Sequence, residues 1–378
     1  MEHYSRICAT IDLDAVVANI DLLTNKLGND TKLLAVIKAD GYGHGAVPIA
    51  QLLEGDKRVW GYGVATVTEA LELRKQRIEK PILLLGYTFE EEYKDVVANE
   101  LTPTIFSFAQ AAKLAVVARQ EKATVSVHIK LDTGMNRLGF ADDGESIDEI
   151  EKITKLENLI VEGFFTHFAR ADELDQQATK EQIARFERFS AQLIAKGLTI
   201  PLQHCNNSAG IMQFDEANKQ IVRAGISIYG LYPSEEMKTL DIDLKPVMSI
   251  TSHITHIKTI KAGEAISYGG TYVADKATKV ATIPVGYADG YARSLSNQGW
   301  VLIAGCRAPI LGRICMDQFM VDVSALPDVK ELDEVILLGS SGDETITMET
   351  LSEISNKFNY EFACGIGKRV PRVYKRGE

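Results

Sequence analysis

The chain has 378 residues, 46% of them hydrophobic and 25% charged, with a formal net charge of -11; this excludes a disordered or membrane-embedded protein and argues against nucleic-acid binding, which relies on basic patches. No stretch approaches the roughly 18 apolar residues of a membrane span, and MEHYSRICATIDLD lacks the basic start and apolar middle of a signal peptide, so a cytoplasmic location without a membrane partner is expected. The length predicts two domains, or one large barrel with an appendage. Cys8, Cys205, Cys306, Cys315 and Cys364 are odd in number and widely spread, which fits neither a disulfide framework nor a zinc site. His253 and His256 lie three apart in a strand-like run and would face opposite sides of it, so no metal is expected.

The first informative element is AVIKADGYGHGA, residues 35 to 46. An apolar strand runs into Lys38 and then into a glycine-punctuated loop holding Tyr42 and His44. On position alone Lys38 reads as a snorkelling lysine at the start of a loop. A lysine buried at the end of such a strand would instead lose affinity for its proton and gain the nucleophilicity that Schiff-base chemistry requires. Further strands are predicted in the 34 to 40 region and over 62 to 66, 81 to 87, 101 to 107, 125 to 132, 159 to 168, 201 to 207 and 221 to 230. Helix-period segments such as TVTEALELRKQRI and TKEQIARFERFSAQLIAKGL separate them. Eight strands, each followed by a helix, read as a TIM-like (β/α)8 barrel spanning residues 8 to 240. From 241 to 378 the runs are strand-like with close turns, which predicts a C-terminal mostly-β domain, with residues 1 to 7 packed on it.

Barrel chemistry gathers at the C-terminal ends of the strands. Lys38 lies there on the first strand, Arg137 after the fifth and His167 at the end of the sixth. His204 and Ser208 follow the seventh, and Arg223 and Gly225 lie on the eighth. Singly, each has a plain structural reading: a solvated arginine, satisfied core histidines, a helix-capping serine. Their convergence favours a site. HCNNSAG and RAGIS occupy the loops after strands 7 and 8, where barrels bind phosphate through amides and a helix N-terminus. Neither a P-loop nor a G-x-G-x-x-G is present, so a singly phosphorylated cofactor is favoured over a nucleotide. A lysine with a phosphate site in a barrel points to pyridoxal 5'-phosphate, which stabilises a carbanion.

Beyond the lysine segment, the chain resembles the alanine racemase family. The resemblance lies in KLDTGMNRLGF (130 to 140), EGFFTHFARAD (162 to 172), NNSAG (206 to 210), VRAGISIYGLYP (222 to 233), ISYGGTY (266 to 272), PVGYADGY (284 to 291), GRICMDQFMVDVS (312 to 324) and KRVPRVY (368 to 374). It implies an isomerase that interconverts L- and D-alanine, supplying D-alanine for peptidoglycan. It also implies a homodimer in which the β domain of one subunit covers the barrel mouth of the other. By position, Lys38 and Tyr268 are implied as the two acid/base groups, Tyr268 coming from the partner subunit. A free tyrosine titrates at about 10, so a phenol acting as a base needs nearby charge or hydrogen bonds, for which His167 and, behind it, Arg223 are implied. Arg223 is also implied to face the cofactor's pyridine nitrogen, and His204 to position the ring. Tyr42, Ser208, Gly225 and Ile226 match phosphate-site positions, while Arg137 and the Met316 backbone match substrate-carboxylate contacts. Tyr287 and Asp317 resemble residues lining the approach from the β domain, and Lys130 matches a lysine that this family can carbamylate.

One position departs from the pattern: Lys368 stands before RVPR where the family often has tyrosine. This leaves a serine, or a dual alanine and serine, racemase as the alternative, because a pocket weakly rejects one added hydroxyl. A single-barrel cofactor-binding protein would lack residues 241 to 378, and a barrel decarboxylase would need a glycine-rich phosphate loop and a cysteine-aspartate motif that are not evident. A protein-binding scaffold would carry no chromophore.

Overall fold

A computed structural model describes residues 6 to 377. The chain divides into two compact units. One comprises Val16–Gly41 and Ala46–Lys245; the other comprises the chain up to Ala15, Tyr42–Gly45 and the chain from Pro246 onward.

The first strand, β1 (Ile7–Asp12), belongs to the second of these units. The barrel unit is built on β2 (Lys32–Val36), β3 (Val59–Val64), β4 (Ile82–Leu84), β5 (Thr102–Ile105), β6 (Val125–Lys130), β7 (Leu159–Phe165), β8 (Leu202–His204) and β9 (Ile221–Ala224). All are parallel, in the order β8-β7-β6-β5-β4-β3-β2-β9. Beyond β8, the Arg223 N–H donates to Asn206 O at 2.9 Å and links the two edge strands. The result is the TIM-like arrangement expected from eight apolar runs, with Leu33, Leu34, Ala35, Val127 and Ile129 fully buried. Helices cover the strands. The longest, Gln177–Ala195, stacks Phe186 on Phe164 at 4.7 Å, centroid to centroid.

The other unit is mostly β, as expected. It contains β10 (Met248–His253), β11 (His256–Ile260), β12 (Ala265–Ile266), β13 (Tyr272–Val273), β14 (Thr278–Ile283), β15 (Trp300–Ile303), β16 (Cys306–Leu311), β17 (Phe319–Asp322), β18 (Glu334–Ser341), β19 (Glu344–Ile346) and β20 (Arg372–Lys375). Its main sheet runs β11-β14-β17-β16-β15-β18-β10-β1-β20, with β19 on β18.

Two sequence expectations need correction. Placing the barrel's start at residue 8 fails because β1 pairs antiparallel with β10 and parallel with β20, while the unit boundary falls after Lys245 rather than at 240. Of residues 1 to 7, expected on the β domain, only Arg6 and Ile7 are among those described. His253 and His256 also sit on two separate strands rather than in one run. Among the described residues, no helix is long and apolar enough to cross a membrane.

Candidate active site

The segment after β2 carries the first site residue. Lys38 stands beyond the strand's end and opens a turn in which Ala39, Asp40, Gly41 and Tyr42 all take left-handed backbone angles, with φ of 52°, 52°, 60° and 52°. Such angles cost roughly 1–2 kcal/mol for each L-residue with a Cβ, so the turn needs support. Glu69 provides it, its Oε1 accepting from Ala39 N at 2.7 Å and its Oε2 from Ala65 N at 2.7 Å. Gly41 N donates to Ile37 O at 2.8 Å, and Asp40 Oδ1 accepts from Ala46 N at 2.9 Å. Lys38 is thus half-buried on a hydrogen-bonded turn just past the end of β2.

Arg223, on β9, is the hub of the barrel end and only 3% exposed. Its Nη1 donates to His204 Nδ1 at 2.9 Å and to His204 O at 3.2 Å. Its Nη2 donates to Cys205 O at 2.7 Å, Thr166 O at 2.8 Å and His167 Nδ1 at 3.2 Å. Its Nε–H makes no bond to the described protein atoms. Burial lowers this guanidinium to about 10, which leaves it charged at neutral pH. Because arginine only donates, Nδ1 of both His204 and His167 is an acceptor, and each ring carries its proton on Nε2. His204 also stacks on Phe165, centroids 4.5 Å apart and planes 4° apart.

The charge of Lys38 reaches both His167 and Lys130, as do those of Arg137 and Arg223, so these side chains share one neighbourhood. His167 is consequently held well below its ordinary value, by burial first and then by Arg223, Arg137, Lys130 and Lys38. Lys130 ends β6, is 3% exposed and is lowered to about 8 by burial and then by the charges of Arg137 and Arg223. Arg137 is exposed in the following loop, which is wound around Asp132: the carboxylate accepts from the amides of Gly134 at 2.9 Å, Asn136 at 3.0 Å and Arg137 at 3.0 Å.

The loops after β8 and β9 interlock. Ser208 begins the short helix Ser208–Gln213, and its Oγ accepts from Gly225 N at 2.9 Å and bonds Ser227 Oγ at 2.9 Å. Ile226 begins the adjoining 3-10 turn Ile226–Tyr229. Ser208, Gly225 and Ile226 are therefore neighbours, two to three residues along the chain from Arg223 in the case of Gly225 and Ile226.

The remaining predicted residues lie in the second unit. Tyr42 is grouped there, 5.9 Å from the Tyr360 ring. The glycines of its loop make room for close contacts. A Cβ on Gly43 would stand 2.3 Å from Ala363 O, and one on Gly45 2.0 Å from the Tyr374 hydroxyl oxygen. Tyr268 caps the hairpin between β12 and β13 and is 71% exposed. The hairpin is anchored by Ile266 in a cluster with Ile260, Ala274, Val280 and Leu311. Tyr287 and Met316 are also exposed, on loops joined by Tyr287 N to Cys315 O and Ala288 N to Met316 O, both 3.1 Å. Asp317 accepts from Arg369 Nη2 at 2.8 Å, and Lys368 is exposed beside it in sequence. Sequence reasoning missed His128, a fully buried partner of His204, because a polar residue in VSVHIK carries no signal of its own. Among the described residues no group of three or more histidines, cysteines or carboxylates is placed to hold a metal.

Pyridoxal 5'-phosphate presents an aldehyde, a ring nitrogen and a phosphate. The barrel end offers a lysine amine, an arginine N–H that lacks a protein acceptor, and a hydroxyl with nearby backbone amides, so its donor set fits that group.

Comparison with known proteins agrees. Residues 11–233 match the family model for the alanine racemase N-terminal domain, and residues 247–374 that for the C-terminal domain. Alanine racemase 1 of Clostridium acetobutylicum is 43% identical over 379 residues, covering 100% of this chain and 97% of that protein. The solved alanine racemase of Clostridium difficile 630 superposes with a TM-score of 0.95 at 41% identity, over 99% of this chain and 97% of that one. An alanine racemase from Bartonella henselae, solved with covalently bound pyridoxal phosphate, has a TM-score of 0.87 at 29% identity, over 98% of this chain and 100% of that one. With both domains matched in order and full-length relatives above 40% identity, the chain belongs to the alanine racemase family of isomerases.

Proposed function

We propose that the chain racemises alanine with pyridoxal 5'-phosphate, using Lys38 and Tyr268 of a second copy as acid/base groups on opposite faces of the substrate. The observation that carries this reading is buried Arg223, with both Nη atoms committed to protein acceptors and its Nε–H unmatched, in the same neighbourhood as Lys38. Lys38 would hold the cofactor through its amine, and Tyr42, Ser208, Gly225 and Ile226 would bind the phosphate. When bound, the cofactor supplies a sink for the electron pair left at the substrate's Cα. Arg223 would hold the cofactor's ring nitrogen as a hydrogen-bond donor that keeps its own proton, which would leave a weaker sink and limit side reactions such as transamination.

Arg137 and the Met316 amide would hold the substrate carboxylate. One base removes the Cα proton and the other returns a proton to the opposite face. His167, with its proton on Nε2, is a donor suited to a phenolate at Tyr268. The exposure of Tyr268, Tyr287 and Met316 supports their service to a second subunit in a homodimer, with Tyr287 and Asp317 lining the approach. Lys130 would carry a carbamate: its amine, lowered to about 8, attacks carbon dioxide, forms an N–C bond and releases a proton, giving Arg137 a negative partner.

Purified protein should be yellow and racemise alanine. Alanine, serine and a larger amino acid assayed side by side should rank alanine first. Lys38→Ala should abolish both the activity and the borohydride-sensitive colour; retention of that colour would refute the lysine assignment. Tyr268→Phe should impair solvent deuterium exchange from L-alanine more than from D-alanine, and equal losses would count against two bases. For Lys130, a carbon-13 carbamate resonance should grow in labelled bicarbonate and vanish in Lys130→Arg.

A further inference from the structure

His128 on β6 is fully buried and is given no task by the reading above. Its ring occupies the space over Gly163 on β7, where a Cβ would stand 2.3 Å from Nδ1, so the neighbouring strand must carry glycine there. Trp60 and His204 pack around it, with centroids at 5.6 and 5.1 Å.

The polar contacts form a line with a direction. Arg223 has no lone pair, so His204 Nδ1 must accept from it and the His204 proton sits on Nε2. That Nε2–H donates to His128 Nδ1 at 2.9 Å, which puts the His128 proton on its own Nε2. This last nitrogen is buried without a hydrogen-bond partner and lies 3.8 Å from Glu162 Oε2. Each imidazole is thereby limited to one tautomer, and the stack on Phe165 fixes the plane of His204.

We propose that His128 is a positioning residue for the racemase reaction: by accepting from His204 it locks the tautomer that accepts from Arg223, and so sets the guanidinium. The proposal rests on the role of Arg223 toward the cofactor given above. Without the acceptor at residue 128, the His204 proton can move to Nδ1, where two donors then oppose each other and tilt Arg223.

Nitrogen-15 spectra of the histidine-labelled apoprotein read the tautomers with no cofactor present. Wild-type His204 and His128 should both be protonated on Nε2. His128→Leu should shift His204 toward the Nδ1-protonated form and lower kcat roughly tenfold, with KM changed less than about twofold. His128→Asn, whose Oδ1 stands near the site of the imidazole Nδ1, should restore most of both. The proposal is overturned by wild-type His204 protonated on Nδ1, by a folded His128→Leu with wild-type kcat, or by His128→Asn losing as much as a folded His128→Leu. If His128→Leu does not fold, the wild-type spectrum decides, together with His128→Asn, which must then keep kcat within about threefold of wild type. A wild-type protein that binds pyridoxal phosphate but does not racemise would overturn the functional reading while leaving the tautomer result standing.

Discussion

Three imidazoles, His128, His167 and His204, adjoin the Arg223 guanidinium or its hydrogen-bonded chain, and each is pushed toward its neutral form. Burial is the largest cause for all three, with Arg223 adding to it and Glu162 opposing it at His128. The unfolded chain takes up these protons near pH 6.5, about the ordinary histidine value, whereas the folded chain does so only at lower pH. Their contribution to stability is therefore complete above about pH 6.5 and is lost as the pH falls below it. Thermal midpoints should drop between about pH 7.5 and about pH 5.5, and His128→Asn should reduce that drop; pH-independent midpoints in both proteins would contradict this. Lys38 and Arg223 were legible as candidates because a charged residue in or beside an apolar run stands out. His128 was not, since its only trace is Gly163, and the two are joined through a strand register that the sequence does not display.

Among elements, the left-handed turn after β2 carries the most strain and rests most on one outside residue. Glu69 accepts the amides of Ala39, Ala65 and Thr66 at 2.7, 2.7 and 3.2 Å, and it also completes the capping box of the helix Val67–Lys75. Glu69→Ala should lower stability by about 1–2 kcal/mol in a urea titration and slow borohydride trapping at Lys38, whereas Glu69→Gln, which keeps the acceptor oxygen, should lose less. Unchanged trapping in Glu69→Ala would show that the turn holds itself. The eight barrel strands were legible because each is a short apolar run between turn signals. The turn was not: Ala39 and Tyr42 have no intrinsic reason to take positive φ, and contacts from Glu69 and Ala46 stabilise it.

For the whole molecule, the proposed acid/base pair lies on two different units, Lys38 on the barrel and Tyr268 on the β unit. A dimer with shared sites makes a quantitative prediction. Mixing Lys38→Ala and Tyr268→Phe subunits after unfolding and refolding puts half the chains in hybrids, each with one intact site of two, so roughly a quarter of wild-type activity should return. No recovery would mean that each chain completes its own site. The mostly-β character of the second unit was legible from its close turns, but the membership of β1 was not, because strand pairing over more than 200 residues leaves no local pattern. That pairing also sets an order of events at the ribosome. β1 is the earliest of the described strands to emerge, yet its neighbours are β10 and β20, the latter ending at Lys375. The segment Ile7–Asp12 must wait with both edges unpaired while the barrel strands are synthesised, and its sheet closes only after Arg372–Lys375 has emerged.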